Sequence, residues 1–141
     1  MKPIVVTVFV ALAVLTSACG QGNVFSLEVG TCFDNQDSGG GEVSDVPIVD
    51  CADPHDNEVY YLFDLPSGDF PGSSSIDEQA GAGCLAAFEP YVAEPYNTSI
   101  LDIGWLDPTP DGWDQGDREI VCVLYDLSLA KLTGSMQGSG V

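Results

Sequence analysis

Hydrophobic residues fall in four arrangements along this chain: an unbroken N-terminal run, several short alternating stretches, one set spaced by four, and a C-terminal stretch with few. Alternation predicts strands at Val24–Phe33, Val46–Cys51, Glu58–Phe63, Asn97–Leu106 and Arg118–Leu127. The β-branched and aromatic content of Glu58–Phe63 places it centrally in a sheet. In the last strand Ile120, Cys122 and Leu124 share one face. Ile76, Ala80, Cys84 and Phe88 are spaced by four and follow Ser75-Ile76-Asp77-Glu78, a capping-box pattern, so a helix starts there, with Pro90 expected to end it. Gly81 and Gly83 weaken that helix by about 0.5–1 kcal/mol each, which packing must offset.

Asn35–Ser44 and Leu65–Ser74 are rich in Gly, Pro and Ser and read as connections. Gly134–Val141 has nothing evident to bury, so residues 132–141 are expected to form a disordered tail. The element order β, β, β, α, β, β predicts an α+β domain, a small and mostly antiparallel sheet with one helix packed on a face. One such domain, residues 24–131, accounts for the chain beyond its N-terminus.

The N-terminal run, Ile4–Ala18, is uncharged and preceded by Lys2, the outline of a signal peptide over residues 1–18. It falls short of the roughly 20 apolar residues of a membrane-spanning helix. It ends in Leu15-Thr16-Ser17-Ala18-Cys19-Gly20, which resembles a bacterial lipobox, although Thr16 stands where Leu is usual. Cleavage before Cys19 and lipid on its sulfur are therefore expected, with residues 19–23 as a short tether. Membrane attachment by this anchor puts the domain on the extracytoplasmic face. The alternative is an ordinary signal that leaves Cys19 a free thiol.

Export changes the reading of the other cysteines. Cys32, Cys51, Cys84 and Cys122 are even in number and lack zinc-finger spacing, so two disulfides are expected. Of three possible pairings, Cys32–Cys51 and Cys84–Cys122 each join neighbouring elements, and each stabilises by roughly 2–4 kcal/mol on chain-entropy grounds.

Charge narrows the partners. With Lys2 removed, Arg118 and Lys131 stand against 22 acidic residues, a surface that repels nucleic acid and anionic headgroups. It leaves a basic envelope protein or a divalent cation as candidate partners.

Catalytic signals are weak. His55 is the single histidine, set among Asp53, Asp56 and Glu58, a cluster that reads as a turn, a metal site or a pH sensor. No Gly-x-Ser-x-Gly elbow accompanies it. Bonded or lipidated cysteines leave no thiolate nucleophile. Asp111, Asp114 and Asp117 recur every third position around Trp113, without the spacing of an EF-hand loop. Asn97-Thr98-Ser99 has the form of a glycosylation acceptor, which the bacterial lipobox makes silent. No cofactor, metal or catalytic residue is assigned; Asp53, His55, Glu58 and Trp113 are the candidate interaction residues.

Taken together, Val29-Gly30-Thr31-Cys32-Phe33, Val49-Asp50-Cys51 with Pro54-His55 and Glu58-Val59, then Cys84, and Trp113 with Gly116-Asp117-Arg118 and Cys122 resemble the septum formation-related domain of actinobacterial envelope proteins. Thr31 departs from the Asp common in that family. The resemblance implies an extracytoplasmic domain held by a membrane segment or lipid, linked to cell division, and no catalytic residue. The expected function is a non-enzymatic interaction module associated with septum formation or wall assembly. The alternative is a lipoprotein that binds or senses a divalent cation or small ligand.

Overall fold

The computed structural model describes residues 21–36 and 43–141. The signal peptide, Cys19 and the start of the tether lie outside the described residues, as does most of the Gly-rich loop. In chain order the elements are β1 (Gln21–Asn23), a one-turn 3-10 helix (Val24–Ser26), β2 (Cys32–Phe33), β3 (Asp45–Val49) and β4 (Asn57–Asp64). Then come α1 (Ser73–Val92), β5 (Leu101–Leu106), α2 (Pro110–Asp114) and β6 (Glu119–Asp126). The strands form one antiparallel sheet in the order β1-β3-β2-β4-β6-β5. The expected α+β class with one principal helix on a sheet face is the architecture found.

Both faces of the sheet are covered, and the alternation of β6 says how. Ile120, Cys122 and Leu124 meet Ile76, Ala80, Cys84 and Phe88 of α1. Val121 and Val123 face the other way, into a second core with Val24, Leu27, Phe33, Val46 and Val59. A strand buried on both faces reads as a continuous apolar run, as Ile120–Leu124 does.

Each disulfide ties neighbouring elements together. Cys84–Cys122 ties α1 to β6, and Cys32–Cys51 ties β2 to the turn after β3, with Cα atoms 5.5 and 5.2 Å apart. This is the expected pairing.

Several element boundaries differ from expectation for local reasons. The strand expected over Val24–Phe33 is broken, because the Asn23 side chain accepts the Phe25 amide and starts the 3-10 turn. Gly30, at φ 89°, then turns the chain back so that only Cys32 and Phe33 pair. Gln21–Asn23, expected as tether, instead pair with β3. β5 starts at Leu101 rather than Asn97, since Thr98 and Ser99 fold their amides onto the Pro95 carbonyl.

The helix starts at Ser73, without a side-chain cap: the capping box goes unused, and the Ser75 and Ile76 amides bond to the Gly72 carbonyl. Nor does Pro90 end it. Tyr91 and Val92 are buried, the Ala93 amide reaches Glu89, and the carbonyls of Tyr91 and Val92 accept the amides of Gly138 and Gly140. Outside donors thus satisfy carbonyls that a helix end leaves open.

Those donors belong to the segment expected to be disordered, and this is the main correction. Leu132 and Met136 are buried in the helix-side core. The backbone of Leu132 exchanges two hydrogen bonds with His55, and the Gly134 amide bonds to Cys51. Two apolar anchors and a ladder of backbone bonds offset the entropy of ordering the segment.

Candidate functional site

Three of the four candidate interaction residues are inside the protein. His55 and Glu58 are fully buried and Trp113 is 4% exposed, while Asp53 is exposed. Burial corrects the expectation that the His55 and Trp113 segments present these side chains for contact.

Alternation along β4 puts Glu58 and Tyr60 on the helix side, and the Glu58 carboxylate lies among three donors. Tyr91 Oη and Ser135 Oγ donate to Oε1 at 2.7 and 2.6 Å, and the Met136 amide donates to Oε2 at 2.7 Å. Such a set suits an acceptor-only carboxylate. The Tyr91 phenol is pushed upward in pKa, first by burial and then by its bond to Glu58.

His55 sits beside this group. Its Nδ1 lies 2.8 Å from the Asp53 carbonyl, and its Nε2 is buried with no hydrogen-bond partner. Ligand atoms of Cys32, His55 and Glu58 lie within 4.8 Å of one another, a compact trio of metal-binding residue types. The Cys32 sulfur is spent in the disulfide, which leaves one imidazole and one carboxylate, fewer than the four ligands of a structural zinc site.

Asp53 contributes its backbone to His55, and Asp56 is engaged elsewhere. Lys131 lies 2.9 Å from Asp56 and 2.6 Å from Asp34. Burial opposes ionisation of Asp56, but the Asn35 amide and Lys131 outweigh it and hold the carboxyl below its ordinary range.

Trp113 is positioned by α2, whose first turn is capped by Thr109 Oγ1 accepting the Gly112 amide. The indole donates to the Gly68 carbonyl at 2.9 Å, and the Arg118 guanidinium carbon stands 3.7 Å over the ring. Arg118 Nη1 donates to the carbonyls of Trp113 and Asp117. The pair closes one end of the sheet, a cation on an aromatic face. Asp117 Oδ1 accepts the Glu119 amide, so this acid caps a strand.

The feature that sequence reasoning missed is a groove between β4 and α1. The β4 register shifts between Val59 and Tyr61, a bulge that turns both Tyr60 and Tyr61 toward the helix. Tyr60 is buried and donates to the Cys84 carbonyl at 2.7 Å, whereas Tyr61 is 41% exposed and stacks on Phe63. Facing Tyr61 and Phe63 are Gly83, Ala86, Ala87 and Pro90, which leave an open apolar groove of about 530 Å³. Two adjacent tyrosines inside an alternating strand were the available signal.

The fold and its buried centre define a disulfide-stapled α+β domain whose one histidine and innermost carboxylate hold the C-terminal segment in place. The septum formation family model matches residues 17–139, and the chain belongs to that family. The curated proteins and the solved structures yielded no match.

Proposed function

We propose that this septum-formation protein is a non-enzymatic interaction module, held by lipid on Cys19 at the outer face of the cytoplasmic membrane, that engages a division or wall-assembly protein. The observation that carries the reading is the use made of the polar centre. Glu58 is consumed by three donors, and His55 is fully buried, its backbone bridged both ways to Leu132 and its Nδ1 set against the Asp53 carbonyl, so both residues are built into the fold and neither faces solvent. Two disulfides suit an oxidising compartment. No helix among the described residues is long and apolar enough to cross a membrane, and lipid on Cys19 would supply the attachment.

In-cell crosslinking, followed by mass spectrometry of the captured protein, tests both parts. The expected result is an acylated Cys19 peptide together with reproducible enrichment of division or wall-synthesis proteins, lost when Cys19→Ala releases the chain from the membrane. Acylated protein with no reproducible neighbour would overturn the module reading.

A further inference from the structure

The two halves of β4 have different neighbours on the side away from β6. Within β4, Cys32 and Phe33 pair only with Glu58 and Asn57, and the backbone of Gly30 and Thr31 reaches Val59. From Tyr61 to Asp64 the strand pairs with β6, and among the described residues no strand pairs with its other edge. The Leu65 amide bonds inward to Arg118. Counting back by twos, the N–H and C=O of Leu62 and Asp64 point out of the sheet, available to an added strand.

A hollow lies on each face of this edge. On the helix side is the apolar groove lined by Tyr61 and Phe63 of β4 and by Ala86, Ala87 and Pro90 of α1. On the opposite face, reached by Leu62 and Asp64, a second hollow of about 450 Å³ is lined by Phe25, Asp64, Asp117 and Glu119. Asp64 sits opposite Glu119 in register. Burial, then Asp64 and Asp117, raise the Glu119 carboxyl above its ordinary value. Arg118 lines the same hollow but is committed to Trp113 and two carbonyls. Phe25 is 66% exposed beside the acids.

We propose that this edge receives an extended peptide segment of a partner protein by strand addition, with an aliphatic side chain in the helix-side groove and a neighbouring Lys or Arg on the opposite face. The basic residue lays its stem on Phe25 and its cation against Asp64 and Glu119. Successive residues of a strand point to opposite faces, so a short alternating stretch fills both hollows while its backbone pairs with Leu62 and Asp64. Charge selects the occupant. The chain has a net charge of −19, and the two cations among the described residues are already engaged within the chain, Arg118 on Trp113 and Lys131 with Asp34 and Asp56. A second copy of this chain would bring its own acidic Asp64 and Glu119 to this edge and supply no free cation among its described residues. The inference rests on the interaction-module reading and names its site and partner chemistry.

The test titrates the isotope-labelled full chain, in detergent micelles, with an alternating valine–lysine hexapeptide, its valine–glutamate counterpart, and a version with proline at a central position. Amide resonances of Tyr61–Asp64 should move with the valine–lysine peptide, and the other two peptides should bind at least tenfold more weakly. Ala86→Trp, which fills the groove from an exposed helix position, should weaken binding tenfold or more with an unchanged Tm, and Glu119→Gln severalfold. Shifts scattered over the acidic surface, or binding indifferent to proline and to Ala86→Trp, would overturn the site. So would sedimentation as a dimer with the Tyr61–Asp64 amides protected from exchange. If Ala86→Trp still captures the same division protein in cells, this site fails while the module reading stands. Absence of any partner for the unaltered chain fails the module reading itself.

Discussion

Glu58 in the long central strand accepts the amide of Met136 at 2.7 Å, although 78 residues separate them. The C-terminal segment is thereby part of the core, and deleting residues 133–141 should cost about 3–5 kcal/mol. Two hydrogen bonds to the buried Glu58 would be unmade, from Ser135 and Met136, and the Met136 side chain would no longer be buried. Ser135→Ala, which removes one donor, should cost about 1 kcal/mol. Urea unfolding checks both, and a truncated chain with the original midpoint would show that the segment does not stabilise the domain.

Trp113 closes the other end of the sheet, edge-on to Phe70 and under Arg118. Trp113→Ala should destabilise by about 3–5 kcal/mol through the cavity it leaves. Trp113→Phe keeps most of the volume, loses the bond to Gly68 and weakens the cation contact, so about 1–2 kcal/mol is expected. Equal losses from the two variants, read by chemical denaturation, would contradict this division between packing and polar contact.

What the sequence carried clearly was periodic. Cys84 on a stripe spaced by four and Cys122 on an alternating strand already implied a helix bonded to a sheet, and they are bonded. Aperiodic features were lost. Leu132 and Met136 are isolated apolar residues in a Gly-rich segment, and much of what orders them is backbone pairing with His55, Cys51 and the end of α1, which has no side-chain signature. The burial of His55 and Glu58 was hidden for the same reason, since their cover comes from that segment. Strand edges failed where one residue redirected the chain, as at Asn23 and Gly30.

Stability should depend on pH in two opposite ways. The Asp102 carboxyl is lowered by the Tyr96 hydroxyl, against the effect of burial, with further help from the Ile103 amide and the Tyr125 hydroxyl. Asp56 is likewise lowered. Their stabilisation is complete above the ordinary value of 3.8 and is lost as pH falls through the lower folded values. Asp107 and Glu119 are raised, each first by burial and then by acidic neighbours. They disfavour the folded state at neutral pH and cease to do so as pH falls through their folded values. Tm should therefore rise as pH is lowered from 7 and fall below 3.8. Glu119→Gln should stabilise by about 0.2–1 kcal/mol at pH 7 by removing a like-charge cross-strand pair, and by nothing at pH 3. A variant equally stabilised at both pH values would refute the electrostatic cause.

Gly83 of α1 lies tight against Phe63 of β4: a β-carbon there would stand 2.4 Å from Cζ of Phe63. In an unconstrained helix, Gly→Ala stabilises by about 0.5–1 kcal/mol. Here the Phe63 ring is stacked on Tyr61 and can yield only by swinging into the groove. Gly83→Ala should instead destabilise by about 1–2 kcal/mol, the cost of overpacking. Gly81→Ala is the internal control, because its nearest neighbour is the tip of Trp105 at 3.3 Å, a half-buried indole with room to shift. That variant should be neutral or gain about 0.5 kcal/mol. Urea midpoints of the two variants discriminate: if Gly83→Ala gains as much as Gly81→Ala, helix propensity alone governs both positions and the close packing of Phe63 constrains neither.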